Sequence, residues 1–266
     1  AEPAYASQSY NNRIENCSFT INRKYHLIGM DSYALNAAEG KVGDTFIVKN
    51  STFNFFTDTY GTFVVRTCAD RVRFENCKLN INLKKQTDGS SPYCIMSIFA
   101  ALATKATSPK VELVNTDIEI NGAASSSAGR ISNPFAYLFS KIGAKFYSVS
   151  LNQCNIHGTA RVDWSLFEQM ESVSISNSQI SIGGCDYHGY YINAPKRLQI
   201  TGTTFTGRLG KYNTLVSVPN VKDYSHSIDN TTVDASVSKL FTTSPDRRHT
   251  RITNVRNRTT NRPITK

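Results

Sequence analysis

The stretch that decides the fold is Val72–Ile81, which reads Val-Arg-Phe-Glu-Asn-Cys-Lys-Leu-Asn-Ile. Apolar and polar residues alternate on both sides of Asn76, and this spacing of two predicts two short strands with one buried face each. The chain must bend between the strands within two residues. Asparagine tolerates the left-handed backbone that such a bend requires, and Cys77 is small enough to point into a tight corner.

The same strand–corner–strand unit occurs eight times, with pivots 24 to 39 residues apart. The pivots are Asn16, Asn50, Asn76, Asn115, Gln153, Asn177, Gly202 and Asn230. The residue after each pivot is always small: Cys17, Ser51, Cys77, Thr116, Cys154, Ser178, Thr203 and Thr231. Because Gln153 is neither asparagine nor glycine, we expect its turn to be built differently. Eight copies predict a repeat architecture.

A third apolar segment lies between successive units, as in Gly61–Cys68 and Thr214–Val218. Three short strands per turn predict an all-β fold, a right-handed parallel β-helix of about eight or nine rungs spaced about 4.8 Å apart. Helical repeats are the alternative, but a spacing of two and the abundance of Thr, Val, Ile, Tyr and Phe favour strands. We expect the helix to span residues 1–244, with 245–266 as a basic C-terminal extension or the last rung.

Composition supports a folded chain with a sizeable core. Of 266 residues, 39% are apolar and only 19% are charged, and the formal net charge is +10. No apolar run approaches the roughly 18–20 residues that cross a bilayer, so we predict no membrane insertion. The chain starts at Ala1 with neither an initiator methionine nor a signal segment, and we interpret it as a processed form or an excised fragment.

The positive charge is concentrated at the C-terminal end. Residues 244–266 contain seven basic side chains and one acidic one, Asp246, which leaves +4 for the rest of the chain. Such a segment can bind nucleic acid, a polyanionic glycan or an acidic protein surface, or it can be a solvated tail. No nucleic-acid-binding module is recognisable by its pattern, and we predict no nucleic-acid partner.

The six cysteines carry no sign of metal or disulfide chemistry. None forms a C-x-x-C pair, and no histidine lies at zinc-ligand spacing from a cysteine pair, so we predict no metal site. Six in 266 residues are too sparse for a disulfide scaffold, and small, buried, reduced thiols are expected. There is no P-loop or dinucleotide fingerprint, and we predict no cofactor.

The repeated motif, as in Val72–Ile81 and Val173–Ile182, resembles the pectate-lyase-like β-helix superfamily and, within it, bacteriophage tailspikes. The resemblance covers roughly residues 13–242. It implies a homotrimer that is assembled in the bacterial cytoplasm, belongs to a virion tail and acts extracellularly on the host surface. Its partner would be a bacterial polysaccharide (capsule, exopolysaccharide or O-antigen), which it would bind and depolymerise.

The reaction stays open at this point. A depolymerase could be a glycoside hydrolase or a polysaccharide lyase, and one fold also carries non-enzymatic adhesins and structural modules. A glycan-binding adhesin or a structural β-helix module is therefore the alternative function. A cellular pectate-lyase-like enzyme is a third, but its calcium-binding aspartate cluster has no counterpart in register here.

Residues 161–197 hold the richest set of candidate catalytic groups. Polysaccharide cleavage needs paired carboxylates, or a base with a cation that neutralises a uronate. The candidate catalytic residues are Asp163, Glu168, Asp186 and His188. Aligning Ile175 with Ile200 places three pairs on neighbouring rungs: His188 beside Asp163, Asn193 beside Glu168, and Lys196 beside Glu171. The first could instead be a structural hydrogen bond, and the last is most simply a surface ion pair.

Aromatic and basic side chains nearby could bind sugar rings and glycan carboxylates. The candidate glycan-binding residues are Trp164, Tyr187, Tyr190, Tyr191, Arg130 and Arg197. Trp164 could equally fill the interior of a rung, and Arg130, in the loop Gly122–Pro134, could be a solvated loop residue. We interpret the lone histidines His26 and His157 as structural.

Overall fold

The computed structural model of the chain describes the following residues: 12–22, 28–29, 45–57, 62–67, 71–83, 93–102, 110–122, 130–131, 135–138, 148–159, 161–162, 165–168, 170–182, 191–193, 195–207, 214–218, 224–234, 236–243 and 246–264. These residues contain 28 strands. No helix in this part of the chain is long and apolar enough to cross a membrane.

Two sheets contain the strands that flank the corners. The first sheet consists of β1 (Asn12–Glu15), β4 (Thr45–Lys49), β7 (Arg71–Glu75), β10 (Lys110–Val114), β14 (Ser148–Asn152), β18 (Ser172–Ser176), β21 (Arg197–Thr201), β24 (Ser225–Asp229) and β27 (Thr250–Thr253). The second consists of β2 (Ser18–Asn22), β5 (Thr52–Thr57), β8 (Lys78–Leu83), β11 (Asp117–Asn121), β15 (Asn155–Gly158), β19 (Gln179–Ser181), β22 (Thr204–Thr206), β25 (Thr232–Val233) and β28 (Arg256–Asn257).

The third sheet closes each rung. It consists of β3 (Ile28–Gly29), β6 (Thr62–Thr67), β9 (Tyr93–Leu102), β12 (Arg130–Ile131), β13 (Phe135–Leu138), β16 (Arg161–Val162), β17 (Phe167–Glu168), β20 (Ile192–Asn193), β23 (Thr214–Ser217) and β26 (Lys239–Phe241). The long strand β9 pairs with both β12 and β13, so this side is divided in two at the middle rungs. Because strands of successive turns pair in parallel throughout all three sheets, the fold is a parallel β-helix, as the repeat predicts.

The core fills the inside of the coil with rows of apolar side chains in register. One row of the first sheet runs through Phe74, Leu113, Leu151 and Ile175, each 0% exposed. The polar residues between them face outward, as the alternation in the sequence requires. Alternate residues of each strand therefore face solvent, and residues in register on neighbouring strands lie side by side on the outer face.

The predicted corners share one backbone conformation. All eight pivots have positive φ, from 44° at Asn230 to 57° at Gly202. Gln153 has φ 55°, so the expectation that its turn differs is wrong: the surrounding strand pairs impose the same left-handed bend. A ninth corner follows at Asn254, with φ 50°.

The small residue after each pivot completes the corner with a hydrogen bond. Ser51, Thr116 and Thr231 donate from their hydroxyls to the carbonyl oxygen two residues earlier, at 2.6, 3.0 and 2.8 Å. The corner cysteines donate from Sγ in the same way, Cys154 to Asn152 O at 3.3 Å. Cys17, Cys77 and Cys154 are all free thiols, as predicted, and burial raises the pKa of Cys77 and Cys154. These thiols take the place that hydroxyl groups occupy in the other corners.

One segment differs from the sequence-based expectation. Arg130, predicted in a loop, lies in β12, where its backbone is in register with Tyr93 and Arg161. The C-terminal segment, for which an extension and a last rung were both left open, contains β27 and β28, which pair with β24 and β25 and form a ninth rung across residues 250–257. This rung brings basic side chains of the C-terminal segment onto the outer face of the first sheet.

Candidate polyanion-binding groove

The outer face of the first sheet carries a groove of about 730 Å³ near its C-terminal end. Its walls come from four consecutive strands of the sheet, β18, β21, β24 and β27, and from the residues that lead into β27. The lining residues are Ser172, Ser174, Arg197, Leu198, Gln199, Ser225, His226, Ser227, Arg247, Arg248, His249, Thr250 and Arg251.

Short polar side chains form the floor of the groove. One outward row crosses the four strands in register as Ser174, Gln199, Ser227 and Arg251. A second row contains Ser172, Arg197 and Ser225. Serine side chains project little from a sheet, and this explains why a concave surface forms where the outer faces of most strands carry longer residues.

Four arginines give the groove its charge. Arg197 comes from β21, whereas Arg247, Arg248 and Arg251 come from the C-terminal segment, and no carboxylate is among the described lining residues. Guanidinium groups present several N–H donors in a plane and are suited to carboxylate, sulfate or phosphate groups. The electrostatics of the groove therefore favour an anionic ligand.

Two of these arginines are held in place by acids at the edge of the groove. Arg248 donates to both oxygens of Asp246, from Nη2 to Oδ2 at 2.9 Å and from Nε to Oδ1 at 3.3 Å. Hydrogen bonds from the Arg248 side chain and backbone lower the pKa of Asp246 to about 2, so this carboxylate stays ionised. Arg197 Nη2 donates to Glu171 Oε1 at 2.8 Å.

The other two arginines have no acidic partner within the described part of the chain. Arg251 donates from Nε to Thr253 Oγ1 at 3.5 Å, a long contact with a neutral group. Arg247 makes no ion pair with any described residue. These two side chains are available to a ligand, since binding would not require breaking an ion pair with a described residue.

The same sheet carries compensated charges further along the coil. Glu112 Oε2 accepts from Arg71 Nη2 at 2.6 Å and from Arg73 Nη1 at 3.1 Å, and Glu75 pairs with Lys49 at 3.2 Å. Lys49, Arg71 and Arg73 on these earlier rungs thus have acidic partners, whereas Arg247 and Arg251 in the groove have none among the described residues.

Two register predictions for this region are confirmed. Lys196 Nζ lies 3.6 Å from Glu171 Oε1, and Asn193 is in register with Glu168. Arg197, predicted to bind glycan, is exposed and lines the groove. Its glycan-binding role stays a prediction.

Tyr191 does not present its ring to solvent, so its assignment to a glycan-binding surface is wrong. The side chain is 0% exposed, its ring centroid lies 5.6 Å from that of Phe205, and its hydroxyl donates to Thr206 O at 3.0 Å. This hydrogen bond satisfies the phenol inside the coil, which allows a tyrosine to fill the core.

Several other candidates lie outside the described residues: Asp163, Trp164, Asp186, Tyr187, His188 and Tyr190. The pairing of His188 with Asp163 also lies there, and so does His26. For Glu168 and Arg130 the description covers the backbone in β17 and β12 and not the side chain. In the described part of the chain, no three His, Cys, Asp or Glu side chains converge on a possible metal site.

Most of the groove was not predicted from the sequence. Its serines and Gln199 looked like ordinary outward strand residues, and the basic C-terminal segment, left open as an extension or the last rung, was not placed beside Arg197. The signal that could have found it is the corner at Asn254, which is preceded by the alternating residues Thr250–Thr253. His157, interpreted as structural, lies 3.1 Å from Asp117 on the second sheet.

Comparison with known proteins gives no family for this chain. No model of a protein family, no curated protein and no solved structure matches it.

Proposed function

We propose that this chain is a polysaccharide-binding β-helix of the bacteriophage tailspike type, which recognises an acidic polysaccharide on a bacterial surface. The observation that carries the proposal is the groove in which four arginines line a serine-rich floor without a lining carboxylate. Polar hydroxyl and amide groups suit sugar hydroxyls, and the arginines suit the acidic groups of the same chain.

The direction of the groove supports a polymer rather than a small anion. It crosses four successive strands of a sheet whose strands are about 4.8 Å apart. Arg197 and Arg251 lie on strands separated by one intervening strand, β24. An extended glycan that runs along the coil axis could therefore place successive acidic groups opposite successive arginines, which a single ion could not do.

The lining favours binding over hydrolysis at this groove. Cleavage by a hydrolase requires two carboxylic acids at the bond, whereas elimination requires a base at the sugar carbon. The described lining provides no carboxylic acid, although His249 carries an imidazole that elimination could use as a base. Depolymerisation, a homotrimeric assembly and a place in a virion tail complete the proposal as expectations from the resemblance of the repeat.

The test is a binding panel with matched neutral polymers. Dextran sulfate and dextran share a backbone, and acidic bacterial capsules can be compared with neutral ones. We expect retention of the acidic polymers and not of the neutral ones. Equal binding to dextran and dextran sulfate, or no binding to any acidic polysaccharide, would contradict the proposal.

The same incubations report on cleavage. Growth of reducing ends would indicate a hydrolase, and ultraviolet absorbance from an unsaturated uronate would indicate a lyase. Binding with unchanged polymer length would assign the chain to the adhesins. The mass of the protein in solution tests the trimer, and a monomer would remove that part of the proposal.

A further inference from the structure

A second group of reactive side chains lies on the outer face of the second sheet, away from the strands that line the groove. Glu119, His157 and Ser181 occupy one outward row on three successive strands, β11, β15 and β19. Each is the in-register neighbour of the next. The row thus places an imidazole beside a hydroxyl, which are the base and the nucleophile of nucleophilic catalysis.

Asp117 holds the imidazole from one side. Its Oδ1 lies 3.1 Å from His157 Nε2 and accepts a hydrogen bond from Asn155 Nδ2 at 2.8 Å. Lys78 Nζ lies 3.9 Å from Oδ2 of the same carboxylate. Because an ionised carboxylate only accepts, His157 Nε2 is the donor, and its Nδ1 is left as the basic nitrogen.

Ser181 lies on the other side of His157. The two residues are directly opposite each other on strands about 4.8 Å apart, which brings a serine hydroxyl within reach of the imidazole. No hydrogen bond joins them in the structure, and such bonds commonly tighten only when substrate binds. His157 and Asp117 are each 33% exposed, so the site is open to a substrate.

A donor for the developing oxyanion is available on the same strand. Gln179 precedes Ser181 by two residues, faces outward and is exposed. Its side-chain amide makes no hydrogen bond to any described residue. A side-chain amide beside the nucleophile is one of the groups that stabilise a tetrahedral intermediate.

We infer that Ser181, His157 and Asp117 form a serine-hydrolase site for O-acyl esters, the linkage found on acylated sugar hydroxyls. Ser181 Oγ attacks the acyl carbon while its proton passes to His157 Nδ1. The C–O bond to the alcohol breaks, and the alcohol leaves with that proton. Water then attacks the acyl carbon and gives a proton to His157; the acyl–Oγ bond breaks, His157 returns that proton to Ser181 Oγ, and the carboxylic acid is released. Asp117 is a positioning residue, which acts through the imidazole.

Fluorophosphonate labelling tests this site directly, because such reagents form adducts with activated serines. We expect one adduct, located on Ser181 by peptide mass spectrometry. His157→Gln should slow labelling at least about a hundredfold, since general-base assistance contributes about 10²–10⁴. Asp117→Asn should slow it about tenfold or more, and Asp117→Glu should restore part of the rate. Hydrolysis of p-nitrophenyl acetate should follow the same order.

Ser150 is the matched control, an outward serine of the first sheet that does not line the groove and whose in-register neighbours are Glu112 and Ser174. Ser150→Ala should leave labelling unchanged, whereas Ser181→Ala should abolish it. No adduct, an adduct elsewhere, or a rate that His157→Gln does not alter would overturn the inference. Ser181→Ala should bind dextran sulfate with the affinity of the parent. A negative labelling result would therefore overturn the hydrolase site without affecting the proposal that the groove binds an acidic polysaccharide.

Discussion

Asn115 donates from Nδ2 to Oδ1 of Asn76 at 2.8 Å, across two corners that are 39 residues apart in sequence. The same amide-to-amide bond joins Asn76 to Asn50 at 3.1 Å and Asn50 to Asn16 at 3.2 Å. Each asparagine therefore has two functions: it adopts the left-handed bend and it links its rung to the one before. Asn177 adopts the bend with φ 48° but makes no side-chain hydrogen bond to a described residue.

The comparison of Asn115→Ala with Asn177→Ala separates these two functions. Both variants place alanine in a left-handed conformation, which costs about 1–2 kcal/mol. Asn115→Ala also loses the ladder bond to Asn76, which is worth about 0.5–1.5 kcal/mol, so it should lower the unfolding temperature further. Thermal unfolding followed by circular dichroism checks this. Equal losses in the two variants would mean that the ladder adds no stability.

Position 158 requires glycine for two reasons: a side chain would clash with a neighbouring strand, and the backbone has a positive φ. A Cβ on Gly158, at φ 142°, would lie 1.9 Å from the carbonyl oxygen of Ile120, whereas a Cβ on Gly202 would lie 2.6 Å from the side-chain Oδ1 of Asn177. The first contact is with backbone and the second with a side chain that can move. We expect Gly158→Ala to destabilise by at least about 3 kcal/mol and Gly202→Ala by about 1–2 kcal/mol.

Urea unfolding of the two glycine variants gives the comparison. If Gly202→Ala proved as destabilising as Gly158→Ala, the assignment of the two contacts to rigid and movable groups would be incorrect.

His226 makes stability depend on pH. It occupies a core row, in register with Leu198, and is 3% exposed. Burial lowers its pKa below the ordinary value of 6.5, although its Nε2 contact with Pro195 O at 3.1 Å acts in the opposite direction. Its Nδ1 has no hydrogen-bond partner among the described residues. Since the unfolded chain takes up the proton first, stability should fall as the pH decreases below 6.5 towards the lower pKa of the native state.

His226→Leu removes that titration and the unpartnered nitrogen. The variant should be at least as stable as the parent at about pH 8 and should lose less stability at about pH 5, because other titrating groups are common to both. Unfolding temperatures measured at the two pH values check this. An identical pH dependence in parent and variant would show that His226 does not contribute to it.

Glu171 neutralises part of the positive charge of the groove through its ion pair with Arg197. Glu171→Gln should therefore raise affinity for dextran sulfate about two- to fivefold, the size of a surface ion-pair contribution. Glu112→Gln is the control, because Glu112 pairs with Arg71 and Arg73 on the same sheet outside the groove. An equal gain in both variants would mean that net charge, and not Arg197, sets the affinity.

Local sequence patterns predicted the fold and some residue pairs on neighbouring strands, but they did not predict the groove. Alternation and corner residues repeat within each unit, so the coil, the register of Ile175 with Ile200 and the pair of Glu171 with Lys196 could be deduced. The groove depends on the last rung, whose corner continues with Val255 instead of a small polar residue. The sequence therefore left open whether its arginines belong to a rung or to an extension.

The error at Tyr191 has a different origin. Tyr191 and Ile192 are adjacent, yet both are 0% exposed, which breaks the alternation that places neighbours on opposite faces. A polar ring next to candidate site residues looked exposed because the sequence does not reveal its hydroxyl acceptor, Thr206 O. Tertiary contacts of this kind cannot be deduced from the spacing of residues in a single strand.

The most direct test of the central claim compares two double variants that each remove two positive charges from the C-terminal segment. Arg247 and Arg251 line the groove, whereas Arg258 and Arg262 are exposed outside its lining. At low salt, the affinity for dextran sulfate should fall at least about tenfold, or about 1.4 kcal/mol, in Arg247→Ala/Arg251→Ala. It should change less than about twofold in Arg258→Ala/Arg262→Ala. Equal losses in the two double variants would contradict the groove as the binding site.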